Sequence, residues 1–354
     1  MPAAPPLVLG IETSCDDTAC ALVSGGGEVL SSVVSSQLAA HRPFGGVVPE
    51  IASRQHLANW PAVSAEALGH AKATLDDVEV VAATVGPGLV GALLVGLSLG
   101  KAIAWGRDLP FHAVHHLEGH LYSPFLRPAG EAATTIPERF VGLVVSGGHT
   151  SIYEVDGQAI STVAETRDDA MGEVFDKVGK RLGLPYPQGP VVDRLAENGD
   201  AEAVPLAVAR CRDGSLDFSY SGLKTQTLLE VEELEAAGCE LPLTEDDAPR
   251  AVRDLLASFR AAAVEQLVDR LGRFHDANPF ELLAVSGGVA ANRLLRRRLP
   301  EWAAQRSVEL ALVPLEYSGD NAAMIAHAAL RRHRLGLSDD LLAAEAVSRL
   351  KLDS

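Results

Sequence analysis

The sequence predicts an α/β protein built on a duplicated nucleotide-binding fold, and three observations lead there. First, an apolar strand, a tight polar turn and a returning strand occur twice. They read LVLGIETS, CDDT and ACALVSG from residue 7, and VGLVVSGGHT and SIYEV from residue 141. Second, helix and strand patterns alternate between and after these hairpins, as they do in layered α/β domains. Third, 47% of the residues are apolar but only 5% aromatic. An interior of Ala, Val and Leu suits an α/β protein better than a β-sandwich. At 354 residues the chain exceeds one ordinary core and matches two domains of average size. Each lobe is expected to direct one hairpin toward a shared cleft.

Taken in order, the first hairpin supplies Glu12 and Asp16. The stretch Val80 to Gly100 carries no charge and is long enough to span a bilayer. Gly86, Pro87, Gly88, Gly91, Gly96 and Gly100 interrupt it, which predicts a buried strand, a Gly-Pro-Gly turn and a tightly packed helix, with no membrane span. In VHHLEGHLY, His116 and His120 stand four apart and share one helix face, near enough to hold one metal ion. An HxxxH by itself reads equally well as two unrelated histidines. The pattern is not the zinc-peptidase HExxH, because Leu117 follows the first His and Glu118 points elsewhere. Asp320 in YSGDNAAM, at the entrance of a predicted helix, is the best third ligand. Two imidazoles and one carboxylate leave coordination positions open for a substrate.

Three Gly-rich turns, GPGLVG (86–91), VVSGGHT (144–150) and AVSGGVAANRLL (284–295), allow backbone N–H groups to approach phosphate oxygens. None matches the Walker or GxGxxG pattern. Within 168–196, Asp176 falls on a helix, Gly189 in a Pro-rich turn and Asp193 just beyond. Such carboxylates either accept from ribose hydroxyls or are ordinary helix charges. The acidic run near Glu230–Glu235 reads as a solvated helix or loop. Residues 246–275 give the clearest helix, with Val252, Leu255, Leu256, Phe259, Ala263, Leu267 and Leu271 as its apolar stripe. Thr244 and Asp247 form its capping pair, Pro249 sits in its first turn, and Asn278–Pro279 ends it.

A net charge of −17 by itself argues against nucleic acid, whose phosphates are met by Lys and Arg. Basic clusters nevertheless occur at Lys177–Lys180–Arg181, Arg293–Arg296–Arg297–Arg298 and Arg331–Arg332–Arg334. The opening MPAAPPLVLG has no basic n-region or long apolar run, so no secretory signal is expected. Cys15, Cys20, Cys211 and Cys239 show no CxxC spacing, which points to a reduced, cytoplasmic protein.

Read together, these segments closely resemble the TsaD family. The matching stretches are GIETSCDDT, FGGVVPEIASRQH, GPGLVGALLVG, HHLEGH, VSGGHT, GEVFDKVGKRLGLPYP, FSYSGLKT, SGGVAANRLLR and GDNAAMIA, in order and nearly end to end. The resemblance implies an actin-like ATPase (ASKHA) fold, two duplicated lobes around a nucleotide cleft. The expected lobes are 1–121 with 313–354, and 122–312. It implies one divalent metal, iron(II) favoured and zinc the alternative, on His116, His120 and Asp320. It also implies that Val144, Val145, Ser146, Gly147, Gly148, Asp176, Gly189, Asp193 and Asn292 line the site of an adenine nucleotide, ATP or threonylcarbamoyladenylate. The family transfers a threonylcarbamoyl group from that adenylate to N6 of the tRNA adenosine beside the anticodon. TsaB-like and TsaE-like partners share the work, and a TsaC-type enzyme supplies the adenylate. No covalent enzyme nucleophile is needed, since AMP is a good leaving group; Glu12 and Asp16 are the candidates for the base. Two positions depart from the family pattern: Gln188 precedes Gly189–Pro190 where a Gly is usual, and Ser318–Gly319 replaces Cys-Thr before Asp320. A metallopeptidase and a small-molecule kinase of the same fold are the competing activities, and a non-enzymatic scaffold would lack the metal residues.

Overall fold

The structure is a computed structural model, and it describes residues 6–128, 130–131, 134–211, 213–245 and 247–353. The first half of the segment read for a secretory signal therefore lies outside the described residues, as does Asp246, the first residue of the expected long helix. The chain forms two compact units. One runs to Pro137 and includes Val313–Asp353; the other is Glu138–Leu312. Residues 122–137, expected with the second lobe, thus group with the first. The reason is packing: Tyr122, Phe125 and Leu126 are buried, and they continue directly from the helix that carries the histidines.

The first unit begins with β1 (Val8–Glu12), β2 (Asp17–Val23) and β3 (Val29–Ser36), followed by α1 (Leu38–His41) and α2 (Pro49–Ala71). It continues through β4 (Val80–Gly86), α3 (Val90–Arg107), β5 (Phe111–His115) and α4 (His116–Tyr122). The sheet order is β3-β2-β1-β4-β5, with β1 antiparallel to β2 and parallel to β4. Strands β1 and β4 are buried at every residue, as strands covered on both faces are. The uncharged run divides as expected into β4, a turn and α3. Helix α3 is long and apolar enough to cross a membrane, but it is fastened to the end of β1: Thr13 Oγ1 donates to Ala92 O at 2.9 Å and accepts from Gly96 N at 3.2 Å. It is a layer helix of this unit.

The second unit repeats the plan. It holds β6 (Arg139–Val145), β7 (Thr150–Asp156), β8 (Ala159–Glu165), α5 (Met171–Arg181), α6 (Gln188–Ala196), α7 (Ser221–Ala236), α8 (Arg250–Ala277), β9 (Leu282–Ser286), α9 (Arg293–Arg306) and β10 (Glu309–Leu312). Its sheet, read from β8, runs β8-β7-β6-β9-β10. Pairing is antiparallel along the hairpins and parallel from β6 to β9 and from β9 to β10. That is the first sheet's topology strand for strand, so the duplication inferred from two short hairpins extends over both units.

The chain then returns to the first unit as α10 (Ala322–Arg334). This helix lies directly on β1. A Cβ at Gly10 would stand 2.3 Å from Ala322 O and 2.9 Å from Ala326 Cβ, so only glycine permits the approach. Because α10 follows Asp320, that contact also fixes where the carboxylate sits.

Two local expectations need correction, and a third resolves to the helix of its two alternatives. Helix α8 starts at Arg250 with Pro249 as its N-cap, not at 246. Thr244 and Asp247 close a separate turn before it (Asp247 N to Thr244 Oγ1, 3.3 Å), and the residue preceding a proline disfavours helical backbone. Gly189 lies in the first turn of α6 rather than in a loop. The acidic run is helical throughout as part of α7, and Glu235 pairs with Arg181 on α5.

Candidate functional site

Strand β5 passes straight into α4, so His115 ends the strand and His116 opens the helix. One helical turn separates His116 from His120, and their ring centroids are 4.7 Å apart. Asp320 reaches the pair from the turn before α10. Asn321 shapes that turn: its Oδ1 caps Met324 N at 2.9 Å, and its Nδ2 donates to Tyr317 O at 3.1 Å and Gly319 O at 2.9 Å. The Nε2 atoms of His116 and His120 lie 3.6 and 3.2 Å from Asp320 Oδ1. The three side chains can offer ligand atoms that all lie within 4.8 Å of one another. Ligands sharing one cation through bonds of about 2.1 Å stand roughly 3.4 Å apart at tetrahedral angles. The donor set and its spacing therefore fit a single metal ion with open positions.

The side of His116 that faces away from Asp320 is also occupied. Its Nδ1 is 3.1 Å from Glu12 Oε2 and 3.2 Å from Ser14 Oγ. Glu12 is fully buried, its Oε1 accepts from Ser14 N, and its Oε2 accepts from Thr84 Oγ1 at 2.6 Å. Burial works against the Glu12 carboxylate, but the charge and hydrogen bond of His116 outweigh it and hold the group below its ordinary range. Burial likewise opposes the His116 imidazolium, yet Asp320 and Glu12 together raise it to about 9. Such a surplus of negative charge around two imidazoles favours a cation in the proton's place.

Glu12 was expected as a possible base; in the structure both its oxygens are engaged inside the protein, by Ser14 N, Thr84 Oγ1 and His116 Nδ1. Asp16 sits in the hairpin turn, where its carbonyl accepts from Gln37 N at 3.0 Å. The next residue, Asp17, escaped the sequence reading, though the CDDT doublet could have signalled it. Burial first, and then the charges of Asp320, Asp16 and Glu12, push it up to about 7 against a hydrogen bond from Ser36. Its Oδ1 is buried without a hydrogen-bond partner among the described residues. Glu118 turns away from the histidines and lies 3.7 Å from Arg332 Nη1, so it is not placed as a peptidase base.

The second unit holds a separate cavity of about 390 Å³ between the turn after β6, helices α5 and α6, and the start of α9. Gly147, Asp176, Gly189, Asp193 and Asn292 line it. Val144 and Val145 are buried in β6, and Ser146 accepts from His149 N at 3.1 Å through its Oγ. Gly148 is exposed beside them. Asp176 Oδ1 accepts from Gly189 N at 2.7 Å, while burial pushes its carboxyl above the ordinary range. Asp193 is held by Arg260 Nη1 at 3.0 Å and by Arg293 N at 3.2 Å. Asn292 caps α9 through Leu295 N at 3.0 Å. The start of α9 is thus anchored beside the cavity, where helix N-termini favour phosphate. Gln188 is buried, and its Cβ occupies the space over Gly179.

Comparison with known proteins identifies the family and the fold. The model of the family described as TsaD, tRNA N6-adenosine threonylcarbamoyltransferase, matches residues 28–327. A protein of that name from Geobacter sulfurreducens is 50% identical over 90% of each chain. Another, from Sorangium cellulosum, is 46% identical over 94% of each chain. Among solved structures, HypF of T. kodakarensis superposes with a TM-score of 0.62 at 13% identity, covering 98% of this chain and 49% of that one. This chain spans about half of that protein, and the likeness shows the fold alone, of the actin-like ATPase (ASKHA) class. With the family model matched through both units and relatives about half identical along nine-tenths of their length, the chain belongs to the tRNA N6-adenosine threonylcarbamoyltransferase family.

Proposed function

We propose that the protein transfers the threonylcarbamoyl group of L-threonylcarbamoyladenylate to N6 of the adenosine beside the anticodon, in tRNAs reading codons that begin with adenine. The observation that carries this reading is a family match whose span includes His116, His120 and Asp320 together with the convergence of those three side chains.

In the reaction the N6 amine attacks the carbamoyl carbon, and a C–N bond forms as the C–O bond to phosphate breaks. AMP leaves with the bonding electrons, and the amine proton passes to a base. His116, His120 and Asp320 hold one divalent metal, iron(II) favoured over zinc. When bound, it supplies Lewis acidity toward a carbonyl or phosphate oxygen. Glu12 and Ser14 fix the ring of His116. The turn at Ser146–Gly148, the Asp176–Gly189 pair and the α9 start at Asn292 receive the adenylate and meet the charge of the departing AMP. Asp16 and Asp17 are the base candidates left once Glu12 is committed to His116. The target base splays out of the anticodon loop to be reached, and holding amine and carbonyl together supplies much of the acceleration.

The protein works in the cytoplasm with TsaB-like and TsaE-like partners, and a TsaC-type enzyme makes the adenylate. Its net charge of −17 supports a reading in which those partners contribute part of the tRNA-binding surface. Reconstitution with the partners, ATP, threonine, bicarbonate and unmodified tRNA tests the reading. Mass spectrometry of the digested tRNA should find threonylcarbamoyladenosine only when this chain is present. Absence of product, alongside a working family member, would reject it.

A further inference from the structure

Beyond the ligands themselves, the C-terminal segment is built against the metal helix, although it lies past the end of the family match at residue 327. Asp339 starts the contact. Its N donates to Phe111 O at 3.3 Å, and its carboxylate takes Ala113 N at 3.0 Å and Arg332 Nη2 at 3.1 Å. The chain then crosses α3, where Lys101 Nζ donates to Ala344 O at 2.5 Å. Next it covers the turn after β4, with Val347 N on Val85 O at 2.8 Å and Gly88 N on Ser348 O at 3.3 Å. Leu341, Ala344, Ala346 and Leu350 pack on the core of the unit. A Cβ at Gly86 would stand 2.2 Å from Val347 O, so glycine is required for the segment to lie there.

The last contact reaches the site. Leu350 O is 3.1 Å from His115 Nε2, and His115 Nδ1 accepts from Leu117 N at 3.1 Å. A backbone N–H can only donate, so Nδ1 is the acceptor and the ring proton lies on Nε2, pointing at the Leu350 carbonyl. His115 is therefore the N-cap of α4, and the tail fixes its tautomer and its orientation. The residue after the cap is His116.

We propose that residues 339–350 form an intramolecular clamp that sets the start of the metal-binding helix, with His115 as the positioning residue that transmits it. The clamp rests on the reading that His116, His120 and Asp320 hold a metal. Ligand positions tolerate displacements of only about 0.2 Å, and partners that orient ligands are worth roughly 10- to 100-fold in metal affinity. The cap and the tail act through one ring, so their effects should not multiply.

The test is cobalt(II) binding to the full-length protein, followed by calorimetry and by the visible absorption of the bound ion. Compared with wild type would be a chain ending at Val347, His115→Phe, their combination, and His115→Asn. The asparagine can still cap α4 but is too short to reach Leu350 O. The expected result is a loss of about 10- to 100-fold in affinity with an altered spectrum for the truncation and for His115→Phe. The combination should lose no more than the worse of the two, and His115→Asn should match the truncation. If the truncated chain fails to fold, His115→Asn in the intact chain decides alone. Unchanged affinity and spectrum in His115→Asn, or losses that multiply in the combination, would overturn the clamp. Failure of the wild-type protein to bind cobalt(II) at His116, His120 and Asp320 would instead overturn the metal reading on which it rests.

Discussion

Glu12 Oε2 and His116 Nδ1 lie 3.1 Å apart, across the ring from the nitrogen that faces Asp320. Carboxylate, imidazole and candidate ligand position thus form one line from the centre of the first sheet to the candidate metal site. Glu12 comes from β1 and His116 from the start of α4, so the sheet's core sets the direction of a candidate ligand. Substituting Glu12→Gln keeps the shape and removes the charge. Metal affinity should fall roughly 10- to 100-fold, as read by competition with a chromophoric chelator, while the fold is retained.

Ligand binding should also appear as stability. A metal that binds only the folded chain stabilises it by about 2.7 kcal/mol at a hundred times its dissociation constant. Thermal unfolding of the wild-type protein should shift upward with added metal. His120→Ala and Asp320→Ala should show no such shift, because each removes one of the three candidate ligands.

Gly10 links the fold to the site. Its missing Cβ admits Ala322 and Ala326 of α10 onto β1, and α10 begins two residues after Asp320. Gly10→Ala should destabilise by about 1–3 kcal/mol through overpacking, measured by denaturant unfolding. It should also weaken metal binding, since the helix must move to make room.

Acid sensitivity has a definite sign. His327 is buried on α10, and burial first, then Arg334 and Arg127, lower it to about 4. His112 is also lowered to about 4, by burial and then by Arg332. A depressed histidine is neutral when folded but gains a proton when unfolded, so its stabilisation is present above about pH 6.5 and lost as pH falls toward 4. For His327 the loss across that window is about 3 kcal/mol. His327→Gln should flatten the stability profile between pH 6.5 and 4 by that order, and an unchanged slope would reject the assignment.

Much of this was legible in the sequence because it is encoded locally. The strand-turn-strand repeats at Leu7 and Val141 announced two related sheets, and the i, i+4 histidines announced a shared helix face. Asp320 was legible from its place before a helix. What escaped depends on contacts distant in sequence. The contact of Glu12 with His116, 104 residues away, has no local signal. Gly189 read as a turn because proline and glycine surround it, yet Pro190 is well placed in a first helical turn. The C-terminal segment has little periodicity of its own, and its role rests on backbone bonds to Val85 and His115.

The central claim is that this chain performs the transfer with His116, His120 and Asp320. The most direct measurement supplies chemically made threonylcarbamoyladenylate, labelled in the threonine, to the protein with its partners and unmodified tRNA, and follows label entering tRNA in a single turnover. The account predicts AMP release matched by labelled adenosine with the wild-type chain, and neither above background with Asp320→Ala or His116→Ala. Full transfer by those variants while folded and metal-free, or no transfer by the wild-type chain where a known relative succeeds, would contradict it.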